Sequence, residues 1–349
     1  PFSELRTTTS DFYCSYPFAT MKSVIAASLI AVTDAIVMHV GESVGYNFGS
    51  AKCPCVGLAG VDGTTTVKLN VNTSVEYPGS FAAYCAAWDN EQNNVSCMEG
   101  QEPGKDKGWC AESWCYVDPC NCELDEPATK VPDDGGYMPH ASYQGRGMWY
   151  SYKTCGGKDY WMTPEKKKEL QAMPKNCSKK VDEKKWGDEK CRCIGYDGAP
   201  GSANVSIAGK EVPYPAETGA SCSAWDEKNH PDCQGAKPAA WCKKAWCYVD
   251  PCECALPVPP KTTTYLPKGL GNGKPIYFSY AACGADDDYT AGNEEACVNQ
   301  EAASNCSKLE KCAWDGKQCL GKELVQLCSN TPSRGVAAFV AFALAGLLM

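Results

Sequence analysis

The chain has 349 residues, 25 cysteines and a formal net charge of −9. That length allows two or three domains, and the acidic balance argues against nucleic acid, whose phosphates need a basic face. Thiols at this density stay reduced in cytosol but pair in an oxidising compartment, where each bridge restrains the unfolded chain by about 2–4 kcal/mol.

Residues 1–20 read as an upstream segment, and 21–51 as a signal peptide with a short leader. Met21-Lys22-Ser23 precedes an apolar run at 24–32, and Thr33 and Ala35 suit a cleavage site. A cut near Ala51 and a buried helix of a larger domain are the alternatives.

The centre of the chain is written twice. The string Trp-Cys-x-x-x-Trp-Cys-Tyr-Val-Asp-Pro-Cys-x-Cys stands at 109–122 and again at 241–254. Periodic self-similarity of this kind marks a duplicated folding unit. The sequence therefore divides into a cysteine-rich repeat at 52–177, with a helical connector from 163, and a second at 178–306. A cysteine-containing extension follows at 307–328.

Ten cysteines match between the copies. Cys53 and Cys55 align with Cys191 and Cys193, Cys85 with Cys222, and Cys97 with Cys233. Cys110, Cys115, Cys120 and Cys122 align with Cys242, Cys247, Cys252 and Cys254. Cys155 aligns with Cys283, and Cys177 with Cys306. Cys297, Cys312, Cys319 and Cys328 remain, giving 24 with Cys14 left in the upstream segment, an even count for twelve bridges. The two members of a Cys-x-Cys pair are expected to reach different partners. Thiolate binding of zinc or copper is the alternative, which the secretory reading disfavours. No metal or other cofactor is expected.

Local patterns suggest short elements. Alternation at 66–71 reads as a strand, and 205–212 as a hairpin around Gly209. The aromatic runs at 148–152 and 276–280 read as strands. A helix is expected at 238–246 with Pro in its first turn, and another after Thr163-Pro164-Glu165, whose counterpart would lie at 290–303. Segments 127–147 and 257–274 are Gly/Pro-rich loops. The expected fold class is small and disulfide-rich: two tandem repeats, loop-rich, with short β-hairpins, short helices and apolar terminal segments.

The C-terminal segment 329–349 ends in an apolar tail of fifteen residues, short for a ~30 Å hydrocarbon core. It fits a GPI-type signal with attachment at Ser329 or Asn330, or a short membrane anchor. Either places the chain at a membrane through its C-terminus. Asn72, Asn94, Asn176, Asn204 and Asn305 stand in N-x-Ser/Thr sequons and are candidate glycosylation sites.

Trp88-Asp89 and Trp225-Asp226 recur in both copies. One reading makes them carbohydrate-binding surfaces, with rings stacked on sugar faces and carboxylates accepting hydroxyls. The other makes the tryptophans core in a domain poor in Leu and Ile. Trp114 and Trp246, flanked by cysteines, read as core. Asp286-Asp287-Asp288 reads as a solvated turn or a calcium ligand set, and Asp118 and Asp250 as turn acceptors before Pro. No nucleophile elbow, zincin, phosphate-loop or dinucleotide motif is present, so no enzyme is expected. The function expected is extracellular binding or adhesion, with a glycan or protein ligand. The alternatives are a structural coat protein and a secreted enzyme or inhibitor.

Overall fold

The computed structural model describes residues 45–70, 72–91, 94, 97, 107–132, 136–287 and 296–329. The upstream segment, the signal peptide and nearly all of the C-terminal anchor, Asn330 included, lie outside these residues. Among the described residues no helix is long and apolar enough to cross a membrane.

Twelve disulfides hold the fold, and short sheets, short helices and loops fill the space between them. In the first half Cys53 joins Cys122, Cys55 joins Cys115, Cys85 joins Cys155, Cys97 joins Cys110 and Cys120 joins Cys177. The second half follows the same order: Cys191–Cys254, Cys193–Cys247, Cys222–Cys283, Cys233–Cys242 and Cys252–Cys328. The Cys-x-Cys neighbours do reach different partners. In each half two bridges lie side by side, with Cys55 and Cys85 sulfurs 3.7 Å apart and Cys193 and Cys222 sulfurs also 3.7 Å apart. All these sulfurs are spent in S–S bonds, which leaves no thiolate there for a metal.

The last bridge corrects the sequence alignment. Cys306, expected to match Cys177, pairs instead with Cys319, and Cys297 pairs with Cys312. These two bridges clip a small hairpin, Cys312–Trp314 against Cys319–Gly321. Cys328, on the helix Lys322–Ser329, returns to Cys252 and takes the place of Cys177. Segment 307–328 therefore closes the second half instead of trailing behind it.

Strands β1 (Gly63–Lys68) and β2 (Ser74–Pro78) form one hairpin, and β3 (Gly201–Ile207) and β4 (Lys210–Pro215) form the other. They join edge to edge into one antiparallel sheet of order β4-β3-β1-β2. The register is reciprocal: Gly201 faces Thr65, Ser202 faces Thr64 and Ala203 faces Gly63. A second reciprocal pair of bridges links Ala59 to Leu270 and Ser142 to Asp197. Each half's edge strand thus covers the other's, which removes two exposed edges. Tyr196 Oη also donates to the Val56 carbonyl at 2.5 Å across this junction.

The local expectations fare unevenly. The hairpin turns at Ala208-Gly209, both at positive φ. The aromatic runs form the central strands Trp149–Ser151 and Tyr277–Ser279 of two three-stranded sheets. Thr163 Oγ1 caps the helix Pro164–Ala172 by accepting from Lys166 N at 3.1 Å. Asp118 and Asp250 accept from Cys120 N and Cys252 N, both at 2.9 Å. The helix expected at 238–246 shrinks to a 3-10 turn, Ala240–Lys243, after which the chain enters the strand Cys247–Val249. Of the helix expected at 290–303, the described part holds a 3-10 turn, Cys297–Asn299, and the start of Ala303–Cys306. Asp287 pairs with Lys261 at 2.5 Å.

Candidate functional site: an aromatic cavity over a buried carboxylate

Each half builds a core around one aspartate. In the first half Asp89 opens a single helical turn, Trp88–Glu91, and is 1% exposed. Its Oδ2 accepts Trp114 Nε1 at 2.8 Å, and its Oδ1 accepts Asn94 Nδ2 at 3.0 Å and the Tyr137 hydroxyl. In the second half Asp226 accepts Trp246 Nε1 at 2.7 Å, Tyr265 Oη at 2.7 Å and Tyr214 Oη at 2.9 Å. A buried carboxylate survives only when donors replace its water, and three donors meet that need in each half.

Burial raises the Asp89 carboxyl above its ordinary value, while the bonds from Tyr137, Trp114 and Asn94 pull it back. Burial and then the nearby Asp89 charge push the Tyr137 hydroxyl far upward, so it stays protonated and donates.

This geometry corrects the sugar-stacking expectation for Trp88 and Trp225. Their rings are 4% and 8% exposed. Trp88 Nε1 donates to the Tyr84 carbonyl and Trp225 Nε1 to the Ser221 carbonyl, each at 3.0 Å. Rings packed on both faces offer none to a sugar. The tryptophans are core, as Trp114 and Trp246 are, and the aspartates are hubs that fix surrounding rings.

What the sequence did not disclose is a cavity of about 430 Å³ above Asp89. Among the described residues, Trp109, Trp114, Tyr116, Tyr137, Tyr150, Tyr152 and Trp161 supply seven aromatic walls, and Asp89 is the one charged residue in the lining. Trp109 and Trp161 stand 5.4 Å apart by ring centroid, with Tyr152 at 6.3 Å from Trp161. Trp161 is 51% exposed and forms the rim. The strand carrying Tyr150 and the loop carrying Tyr137 are brought to Trp114 by Cys85–Cys155 and by the pairing of Cys115–Val117 with Trp149–Ser151. The aromatic run at 148–152 was a signal for this wall. Trp161 gave none, because its aligned position in the second copy is a tyrosine, Tyr289, which lies outside the described residues.

The two halves differ where this cavity opens. The loop between the fourth and third matched cysteines is one residue longer in the first copy. There Asn94 turns inward to Asp89, and the buried Tyr77 hydroxyl finds no partner. The aligned Tyr214 instead bonds Asp226, and His230 comes in. Its imidazole lies edge-on to Trp241 at 4.9 Å and nearly parallel to Tyr265 at 6.2 Å. Trp241 and Tyr265 align with Trp109 and Tyr137.

The sequons also separate. Asn72, Asn176 and Asn305 are exposed and Asn204 is half-buried on β3. Asn94 is 4% exposed with its amide nitrogen in the Asp89 hub, so this fold corrects the glycosylation expectation there. Ser329 ends the last helix, its hydroxyl donating to the Val325 carbonyl.

No protein-family model, no curated protein and no solved structure matches this chain.

Proposed function

We propose that this chain is a binding protein of the cell exterior, made of two fused copies of one disulfide-stapled unit, that receives a group of its ligand in the aromatic cavity of the first copy. The observation that carries this reading is the cavity itself: seven rings and a buried carboxylate around about 430 Å³. Small-ligand sites are concave, mostly apolar and furnished with few polar groups. A fold needing those rings only as core would close them together, as it does around Trp88.

Twelve bridges suit an oxidising exterior, and display at a membrane through the C-terminus remains part of the reading. The ligand is a glycan or a protein segment carrying a group that fits the cavity. The tethered copies are not equivalent, because His230 sits among the aligned rings of the second. A structural coat protein is the second reading, favoured by the sheet shared between halves and the density of bridges.

The test is an array of extracellular glycans, peptides and headgroups, probed with the secreted chain and with Trp161→Ala. Trp161 is exposed, so its loss leaves the core intact. Binding abolished in that folded variant supports the cavity. Wild-type protein that binds nothing on the array favours the coat reading.

A further inference from the structure

Resting on the reading of this cavity as a ligand seat, we infer that the group it takes is an organic cation, a quaternary ammonium such as that of choline, held between Trp109, Tyr137 and Trp161 above the Asp89 carboxylate.

Three observations converge. First, the lining is aromatic on several sides, and ring faces carry negative quadrupole charge that attracts cations shedding little hydration. Second, Asp89 is the one charged lining residue among the described residues, and its three donors are neutral side chains. An ionised Asp89 therefore leaves the cavity floor negative, and low local dielectric strengthens that field. Third, the second half shows what these aligned rings hold. Trp241 and Tyr265 clasp the imidazole of His230, a nitrogen heterocycle of the same chain. The first half places Asn94 inward instead, and the described residues leave the space above open.

A sugar is a poorer match. It would need several hydrogen-bonding partners, but on the cavity floor both Asp89 oxygens, Trp114 Nε1 and Tyr137 Oη already bond one another. A quaternary ammonium asks for no hydrogen bond at all. It gains from ring faces and from the carboxylate at longer range.

The test uses the full secreted chain, with binding read by calorimetry and by tryptophan emission. The probes are choline, tetramethylammonium and 3,3-dimethyl-1-butanol, the last being an uncharged choline shape. Saturable binding of both cations, with the neutral shape weaker by about tenfold or more, is expected. Trp109→Ala and Trp161→Ala should each weaken choline severalfold, and the exposed Trp161 keeps this arm valid if Trp109→Ala fails to fold. Equal affinity for choline and its neutral shape would overturn the cation assignment. So would no choline binding by a chain whose array ligand is lost in Trp161→Ala, and there the cavity reading survives. If neither cations nor any array ligand respond to Trp161→Ala, both fail together.

Discussion

Gly63 and Gly201 occupy reciprocal positions at the junction of the halves. A Cβ on Gly63 would strike the Ser202 carbonyl, and one on Gly201 would strike the Thr64 carbonyl; both residues sit at positive φ, 129° and 116°. The shared sheet depends on this close approach of two backbones. Gly63→Ala and Gly201→Ala should each cost more than about 1 kcal/mol, read as a lowered denaturation midpoint. Gly235→Ala is the control, since nothing lies within 4 Å of a Cβ there. Wild-type stability in both junction variants would show that the halves are not joined this way.

Asp89 gives a pH signature. Burial raises its carboxyl in the folded chain, so the folded state holds a proton where the unfolded state has lost it. The group's contribution is then complete below the unfolded value, about 3.9, and is lost as pH rises through the folded value. The stability of the wild type minus that of Asp89→Asn should therefore fall as pH rises from about 4, and level off above the folded value. Urea titrations at a series of pH values measure it. A difference that grows with pH in that window contradicts the environment described for Asp89.

The bridge map is directly checkable. Non-reducing digestion and mass spectrometry should recover Cys252 linked to Cys328 and Cys306 linked to Cys319. A Cys252–Cys306 peptide would restore the simple alignment and remove the inserted hairpin.

Breaking the equivalent bridge in either half should destabilise the chain. Cys115→Ser orphans Cys55, and Cys247→Ser orphans Cys193. A loss of about 2–5 kcal/mol and poor secretion are expected. Secretion at wild-type level from either variant would mean these bridges are dispensable.

How much of this was legible in the sequence follows from range. Local signals read true: the Gly209 hairpin, the Thr163 cap, and the turn roles of Asp118 and Asp250. The even cysteine count gave twelve bridges but not their partners. Cys177 has a near-identical neighbourhood at Cys306, and nothing local shows that Cys328 competes for Cys252. Trp88-Asp89 pointed to the right carboxylate with the wrong surface, because a dipeptide does not disclose which way its ring faces. The cavity is a non-local object: Trp109, Tyr137, Tyr150 and Trp161 meet only once bridges and strands have folded the chain back. Its asymmetry goes with loops of different length, Cys97 and Cys110 lying 13 residues apart and Cys233 and Cys242 only 9; Asn94 bonds Asp89, whereas His230 packs against Trp241.

The most direct measurement is a crystal structure of the secreted chain grown with choline. Ligand density enclosed by Trp109, Tyr137 and Trp161 above Asp89 is the predicted result. Rings collapsed onto one another with the cavity closed, or choline seated elsewhere, would contradict it.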